Sequence, residues 1–128
     1  MIGYVTLGTN NLPRAIAFYE ALLGEIGAKR VFEAPRGIAW GVSPNSPGLG
    51  VMTPFDGRPA TWGNGTMVAL VVDSREKVDK LYKKAMELGA MDEGAPGQRM
   101  EGFYAGYFRD PDGNKLCVAC HQAESGTA

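Results

Sequence analysis

Few side chains in this sequence are suited to binding a metal or driving catalysis, and the most reactive of them cluster late in the chain. They are Cys117, Cys120 and the only histidine, His121. Together they spell Cys117-Val-Ala-Cys120-His121, the spacing that carries covalently attached c-type haem. Haem attachment needs an exported chain and a different local structure, whereas this motif follows a turn and reads as a strand. A redox pair fails on geometry. Residues three apart in an extended strand have Cα atoms about 10 Å apart and point to opposite faces, beyond disulfide reach. His121 lies about 13 Å from Cys117 along the same strand, too far to share an ion with it. No base stands near Cys117 by spacing, so an inert buried thiol is expected.

The remaining candidates are weaker. Glu33 and Glu101 have the chemistry of general bases, but single carboxylates near turns are ordinarily solvated. Gly48-Leu-Gly50 lacks the third glycine and the following helix of a dinucleotide fingerprint.

The chain that holds these residues echoes itself. The run from Tyr4 to Thr9 precedes Asn10 and Asn11; the run from Met67 to Val72 precedes Asp73 and Ser74. Both read as strands feeding helix N-termini. A first helix is predicted over about residues 12–23, with Pro13 in its first turn and an apolar stripe of Ala15, Ile16, Tyr19, Leu22 and Leu23. A second is predicted over about residues 74–88, with Asp73 and Glu76 at capping-box spacing and Val78, Leu81, Tyr82, Ala85 and Leu88 as its stripe.

Aligning Trp40 with Tyr107 without gaps brings Pro44 to Pro111, Leu49 to Leu116 and Val51 to Val118. The turn-rich stretches Ser43-Pro-Asn-Ser-Pro and Asp110-Pro-Asp-Gly-Asn then join an incoming strand (37–42, 103–108) to an outgoing one (49–53, 115–120). Residues 29–33 and, more weakly, 90–94 read as second strands. The half-unit is strand-helix-strand-strand-strand, twice. Residues 54–66 form the linker, and residues 124–128 read as a frayed tail.

A paired βαβββ plan, with Phe18-Tyr19 ahead of Leu23-Gly24 and a late Asp110-Pro-Asp-Gly-Asn114, resembles the vicinal oxygen chelate superfamily of glyoxalases, bleomycin-resistance proteins and extradiol dioxygenases. The resemblance covers about Ile2 to His121, and the late turn is its most specific piece. It implies an α+β fold, two βαβββ modules forming a cupped mixed sheet with helices on the convex face. In metal-dependent relatives a divalent ion sits in the cup; in bleomycin-sequestering relatives the cup only binds.

Carried over by position, the family's ligand sites fall on Tyr4 and Met67 in the first strands, and on Cys117 and Gly50 (or Val51 or Met52) in the last. Hard ions want carboxylate and carbonyl oxygens, and zinc wants Cys, His and carboxylates in threes and fours. The resemblance combined with these residues therefore implies no metal centre of the standard kind and no cofactor.

Strand alternation places Tyr4, Thr6, Met67, Ala69, Cys117 and Ala119 on the face of those ligand positions. Val5, Leu7, Val68, Leu70, Leu116 and Val118 fall on the helix side. The expected ligand-binding residues are Tyr4, Trp40, Met67, Tyr107 and Cys117, around an apolar or aromatic small organic molecule, with Tyr4 offering a hydroxyl. The same side chains also suit plain core. Arg58, Trp62 and Arg99 are expected in loops at the rim.

Two functions of different class remain. One is metal-free binding of a small molecule; the other is a lyase or dioxygenase using a different metal site, or acid–base chemistry at Tyr4, Glu101 or Cys117. The 128 residues suffice for a core, and the net charge of -1 suggests no nucleic-acid partner. No stretch approaches the roughly 20 apolar residues of a membrane helix. Two cysteines without a signal-like N-terminus lead to an expectation of free thiols and a cytoplasmic location. A homodimer is expected from the resemblance.

Overall fold

The computed structural model describes residues 1–121; the tail expected at residues 124–128 lies outside them. The chain divides into two compact units. The first holds Met1–Asn64 together with Pro111–Asn114, the second Gly65–Asp110 and, among the described residues, 115–121.

In the first unit, β1 (Tyr4–Gly8) leads into α1 (Leu12–Gly24), followed by β2 (Lys29–Ala34), β3 (Gly37–Gly41) and β4 (Gly48–Met52). The sheet order is β1-β4-β3-β2, with β1 parallel to β4 and the other pairs antiparallel. Helix α1 starts where Asn11 accepts a hydrogen bond from the Arg14 amide at 3.2 Å, beside the predicted Pro13. Its buried stripe is Ala15, Phe18, Tyr19, Leu22 and Leu23, so Phe18 takes the place that the spacing gave to half-buried Ile16. These side chains cover Leu7, Trp40, Leu49 and Val51 on one face of the sheet.

The second unit repeats the plan with β5 (Val68–Val71), α2 (Arg75–Glu87), β6 (Met91–Met100), β7 (Phe103–Arg109) and β8 (Lys115–His121), in the order β5-β8-β7-β6. The cap of α2 is Ser74, whose side chain accepts from the Lys77 amide at 3.2 Å. Asp73, expected in that role, instead pairs with the Lys77 ammonium at 2.9 Å, one helical turn along. Val78, Leu81 and Ala85 form the buried stripe of α2. Strand β6 runs well past the stretch predicted, to Met100, through three register irregularities. Arg99 is thus a strand residue rather than a loop residue.

The Asp-Pro-Asp-Gly-Asn turn is held by the first unit. Asp112 accepts from the Thr9 hydroxyl at 2.6 Å, from the Asn10 amide at 3.0 Å and from Arg14 at 3.2 Å. Asn114 donates to the Gly8 carbonyl at 2.9 Å. Gly113 has φ +93°, and a Cβ there would lie 2.7 Å from Trp62 Cδ1. Glycine is required on both counts.

Candidate functional site

The shape of the first unit's free sheet face follows from two short stretches of sequence. Gly37-Ile-Ala-Trp-Gly41 and Gly48-Leu-Gly-Val-Met52 each alternate small and large residues. Because strand side chains alternate faces, the large residues Ile38, Trp40, Leu49 and Val51 all fall on one side. Register confirms it: Trp40 pairs with Leu49, and Ile38 with Val51. The opposite face is left with Ala39, Gly41, Gly48 and Gly50, a floor almost without side chains.

Walls rise around that floor. Tyr4 pairs with Gly48, Thr6 with Gly50, and Phe32 with Ala39. The register shift between Arg30 and Phe32 bulges β2, so Val31 lies over Gly41, its Cγ1 3.5 Å from where a Cβ would be. Met52 and the turn residues Ser43, Pro44 and Ser46 close the ends. The result is a cavity of about 380 Å³ with no charged side chain among its lining residues. Ser46 is occupied by Ser43, accepting from its amide and donating to its carbonyl. Tyr4, 73% exposed, Thr6 and Ser43 are the other hydroxyl-bearing residues of the lining.

Trp40 does not line this cavity. It is 2% exposed, its ring centroid lies 6.1 Å from that of Tyr19, and its indole N–H donates to Glu20 of α1. Glu20 also receives Arg30 at 2.9 Å, and these two hydrogen bonds, Arg30's first, hold its carboxyl below the usual carboxylate range. The misplacement has a simple cause. Trp40 and its partner Leu49 are nine residues apart, whereas Phe108 and its partner Leu116 are eight apart. The first turn is one residue longer, so Trp40 corresponds to Phe108 and not to Tyr107. Phe108 is likewise buried, 6.4 Å from Tyr82 of α2.

Tyr107 and Cys117 occupy the other face of the second unit's sheet. They pair directly across β7 and β8, beside Ala105, Ala119 and Phe103. Burial pushes the Cys117 thiol up; a hydrogen bond with Tyr107 and the charges of Arg99 and Lys115 pull the other way. Met67 precedes β5 and is 45% exposed. Cys120 faces the opposite side from Cys117 and is raised by burial, while the His121 ring lies 5.0 Å from that of Phe103 between ring centres, tilted by 48°. Glu33 pairs with Arg30 at 3.0 Å, and Glu101 is exposed in the turn between β6 and β7.

A metal centre is the test that this fold invites. The corresponding positions hold a phenol, a thioether, a glycine and a buried thiol, which is not the oxygen-rich or Cys/His-rich donor set a divalent ion requires. Among the described residues no three His, Cys, Asp or Glu side chains converge as a metal site would demand. The residues do not fit the group.

Of the floor residues, the sequence marks only Gly50, as a family ligand position; Ala39, Gly41 and Gly48 carry no functional signal taken one at a time. The signal was present in the small-large alternation of both strands, which was legible but had no known face until the strands were paired.

Comparison with known proteins agrees with this architecture. The sequence model of the Glyoxalase/Bleomycin resistance protein/Dioxygenase superfamily matches residues 1–118. A crystal structure of a glyoxalase/bleomycin resistance protein from Albidiferax ferrireducens is 34% identical, with a TM-score of 0.88, covering 95% of this chain and 99% of that one. A glyoxalase-related enzyme from Fulvimarina pelagi is 23% identical at a TM-score of 0.76, covering 94% and 88%. A glyoxalase/bleomycin resistance protein/dioxygenase family enzyme from Burkholderia phytofirmans is 21% identical at 0.76, covering 94% and 98%. The last two bear on fold alone. No curated protein matches the chain.

Proposed function

Because the chain belongs to the Glyoxalase/Bleomycin resistance protein/Dioxygenase superfamily, we propose that it uses the fold to bind a small, neutral, apolar or aromatic organic molecule without a metal of the standard kind. The observation that carries this reading is the uncharged cavity over Gly48 and Gly50. Its volume of about 380 Å³ falls at the small end of ligand pockets, suited to one or two fused rings. Phe32, Val31 and Met52 supply apolar contact, and the Tyr4 hydroxyl orients a guest carrying one polar group. The alternative of metal-dependent or acid–base chemistry would need donors or a base that these lining residues do not include.

The test uses a neutral bicyclic aromatic such as indole. Titration into isotopically labelled protein is expected to give saturable amide shifts at Thr6, Ala39 and Gly50, with thermal stabilisation that grows with ligand concentration. Shifts that are absent or non-saturable overturn the proposal. So does elemental analysis of gently purified protein that finds stoichiometric zinc, nickel, manganese or iron.

We also propose pairing of two copies. Strand β6 is a sheet edge, and Met91 and Met100 at its ends are each 65% exposed. A monomeric mass by light scattering overturns that part.

A further inference from the structure

We infer that Asn64 is a site of self-modification in the folded protein: the Gly65 main-chain nitrogen attacks the Asn64 side-chain amide and converts the residue, without an enzyme, to aspartate and isoaspartate. The site shares no residue with the cavity over Gly48 and Gly50 and needs no ligand there.

Asparagine is a thermolabile side chain, and its loss by this route makes three demands on a structure. The carboxamide must be free to turn toward the main chain. The nitrogen of the next residue must be free of a hydrogen bond. That next residue must also lack a Cβ, which would crowd the five-membered ring being formed.

Four of the five asparagines fail. Asn10 has both ends of its carboxamide on Ala60, donating to the carbonyl at 3.2 Å and accepting from the amide at 2.7 Å. Asn11 accepts the Arg14 amide at 3.2 Å as the cap of α1, and Leu12 follows it. Asn114 is buried and donates to the Gly8 carbonyl at 2.9 Å. Asn45 is exposed, but the nitrogen after it, that of Ser46, donates to the Ser43 carbonyl at 3.4 Å, and Ser46 carries a side chain.

Asn64 meets all three demands. Its side chain is exposed, and among the described residues no hydrogen bond engages it. The Gly65 nitrogen donates to no main-chain carbonyl among the described residues. Gly65 has φ +103°, and even an added Cβ would find no atom within 4 Å, so the surroundings are open. The pair forms the turn between Gly63 and Thr66, a place that suits Asn followed by Gly. The two Asp-Gly steps are closed by comparison. Gly57 donates its nitrogen to the Pro54 carbonyl at 3.1 Å, and Asp112 is held by Thr9, Asn10 and Arg14.

In the reaction the Gly65 nitrogen gives its proton to solvent and bonds to Asn64 Cγ. The Cγ–Nδ2 bond breaks and ammonia leaves, giving a succinimide; nothing is oxidised or reduced. Water then opens the ring. Cleavage of the new bond leaves aspartate, and cleavage at the main-chain carbonyl leaves isoaspartate, with the chain running through the side-chain carbons. Either product adds one negative charge to a chain whose net charge is -1. The new carboxylate falls in an open cleft of about 500 Å³ in the first unit, where Asp112 is the only acid among the lining residues.

The experiment stores the full chain in warm, mildly alkaline buffer, one sample folded and one unfolded in guanidinium chloride. Ion exchange, intact mass and fragmentation of proteolytic peptides follow each asparagine. The folded sample is expected to gain an acidic species, heavier by the difference between water and ammonia and mapped to residue 64. Both aspartate and isoaspartate should be present, and the rate should rise with pH. The folded rate at Asn64 is expected within a few-fold of the unfolded rate, as for a segment without protection, while Asn10 and Asn114 react only when unfolded. Asn64→Gln, an exposed change that enlarges the ring to be closed, should abolish the species. Its persistence in Asn64→Gln overturns the site. A folded rate at Asn64 far below the unfolded one overturns the open turn on which the reaction depends, and that comparison needs no variant to fold.

Discussion

The Thr9 hydroxyl donates a 2.6 Å hydrogen bond to Asp112 Oδ2 across 103 positions of sequence. Thr9 is fully buried, and its oxygen also accepts the Asn11 amide at 3.0 Å, just where α1 begins. One hydroxyl therefore ties the start of a helix to the late Asp-Pro-Asp-Gly-Asn turn. The motif that reads as a family signature serves here as a structural clasp.

Thr9→Val keeps the shape and removes the donor, leaving Asp112 short of a partner. The expected loss is about 1.5–3 kcal/mol, the scale for a hydrogen bond to a charged group. In a domain of this size that lowers the melting temperature by roughly 3–10 °C. Thr9→Ser should restore most of it. Urea unfolding of the three proteins checks the prediction, and an unchanged midpoint in Thr9→Val would remove the clasp from the account.

Gly113→Ala tests the same turn by a different physical route. Its φ of +93° and the Trp62 ring 2.7 Å from the added Cβ both oppose a side chain. Destabilisation of more than about 1 kcal/mol is expected, measured by thermal melting.

Filling the first unit's cavity should abolish binding while sparing the fold. At Gly48 a Cβ meets the Trp40 carbonyl at 3.4 Å and Tyr4 Cβ at 3.7 Å, which are tolerable contacts. Gly48→Leu is expected to cost indole at least tenfold in affinity with little change in melting temperature. Gly50→Ala is the contrasting variant. Its Cβ would meet the Ile38 carbonyl at 3.0 Å and Ala39 Cβ at 3.2 Å, so stability should fall.

Acid sensitivity should trace partly to Glu20. Its carboxyl is held low, first by Arg30 and then by Trp40. A depressed folded value means that its stabilisation is present above the ordinary carboxylate value, about 4.3, and is lost as pH falls through the lower folded value. Glu20→Gln should flatten the stability–pH curve in that acid window and leave its slope near neutrality unchanged. Denaturation at a series of pH values decides it.

Both thiols are raised, chiefly by burial. They should remain protonated at neutral pH and resist alkylation. Intact-mass analysis after iodoacetamide should show no adduct on folded protein and two on urea-unfolded protein. Raised folded values also set a sign: stability is full below the free-thiol value, about 8.5, and declines as pH climbs from there through the folded values. Rapid labelling of native Cys117 would contradict its burial.

The amino-acid order alone determined the βαβββ repeat, the approximate bounds of both helices, and the alternation of residues along most of the strands. Those are properties of neighbours, set by periods of 3.6 and 2 that need no distant partner. Tertiary structure decided the rest. It turned Trp40 inward because a turn is one residue longer than its counterpart, made Ser74 the cap in place of Asp73, and drew Arg99 into a strand that bends its guanidinium onto Tyr107. Each of these depends on strand register or long-range pairing, and a single residue of slip reverses which face a side chain occupies.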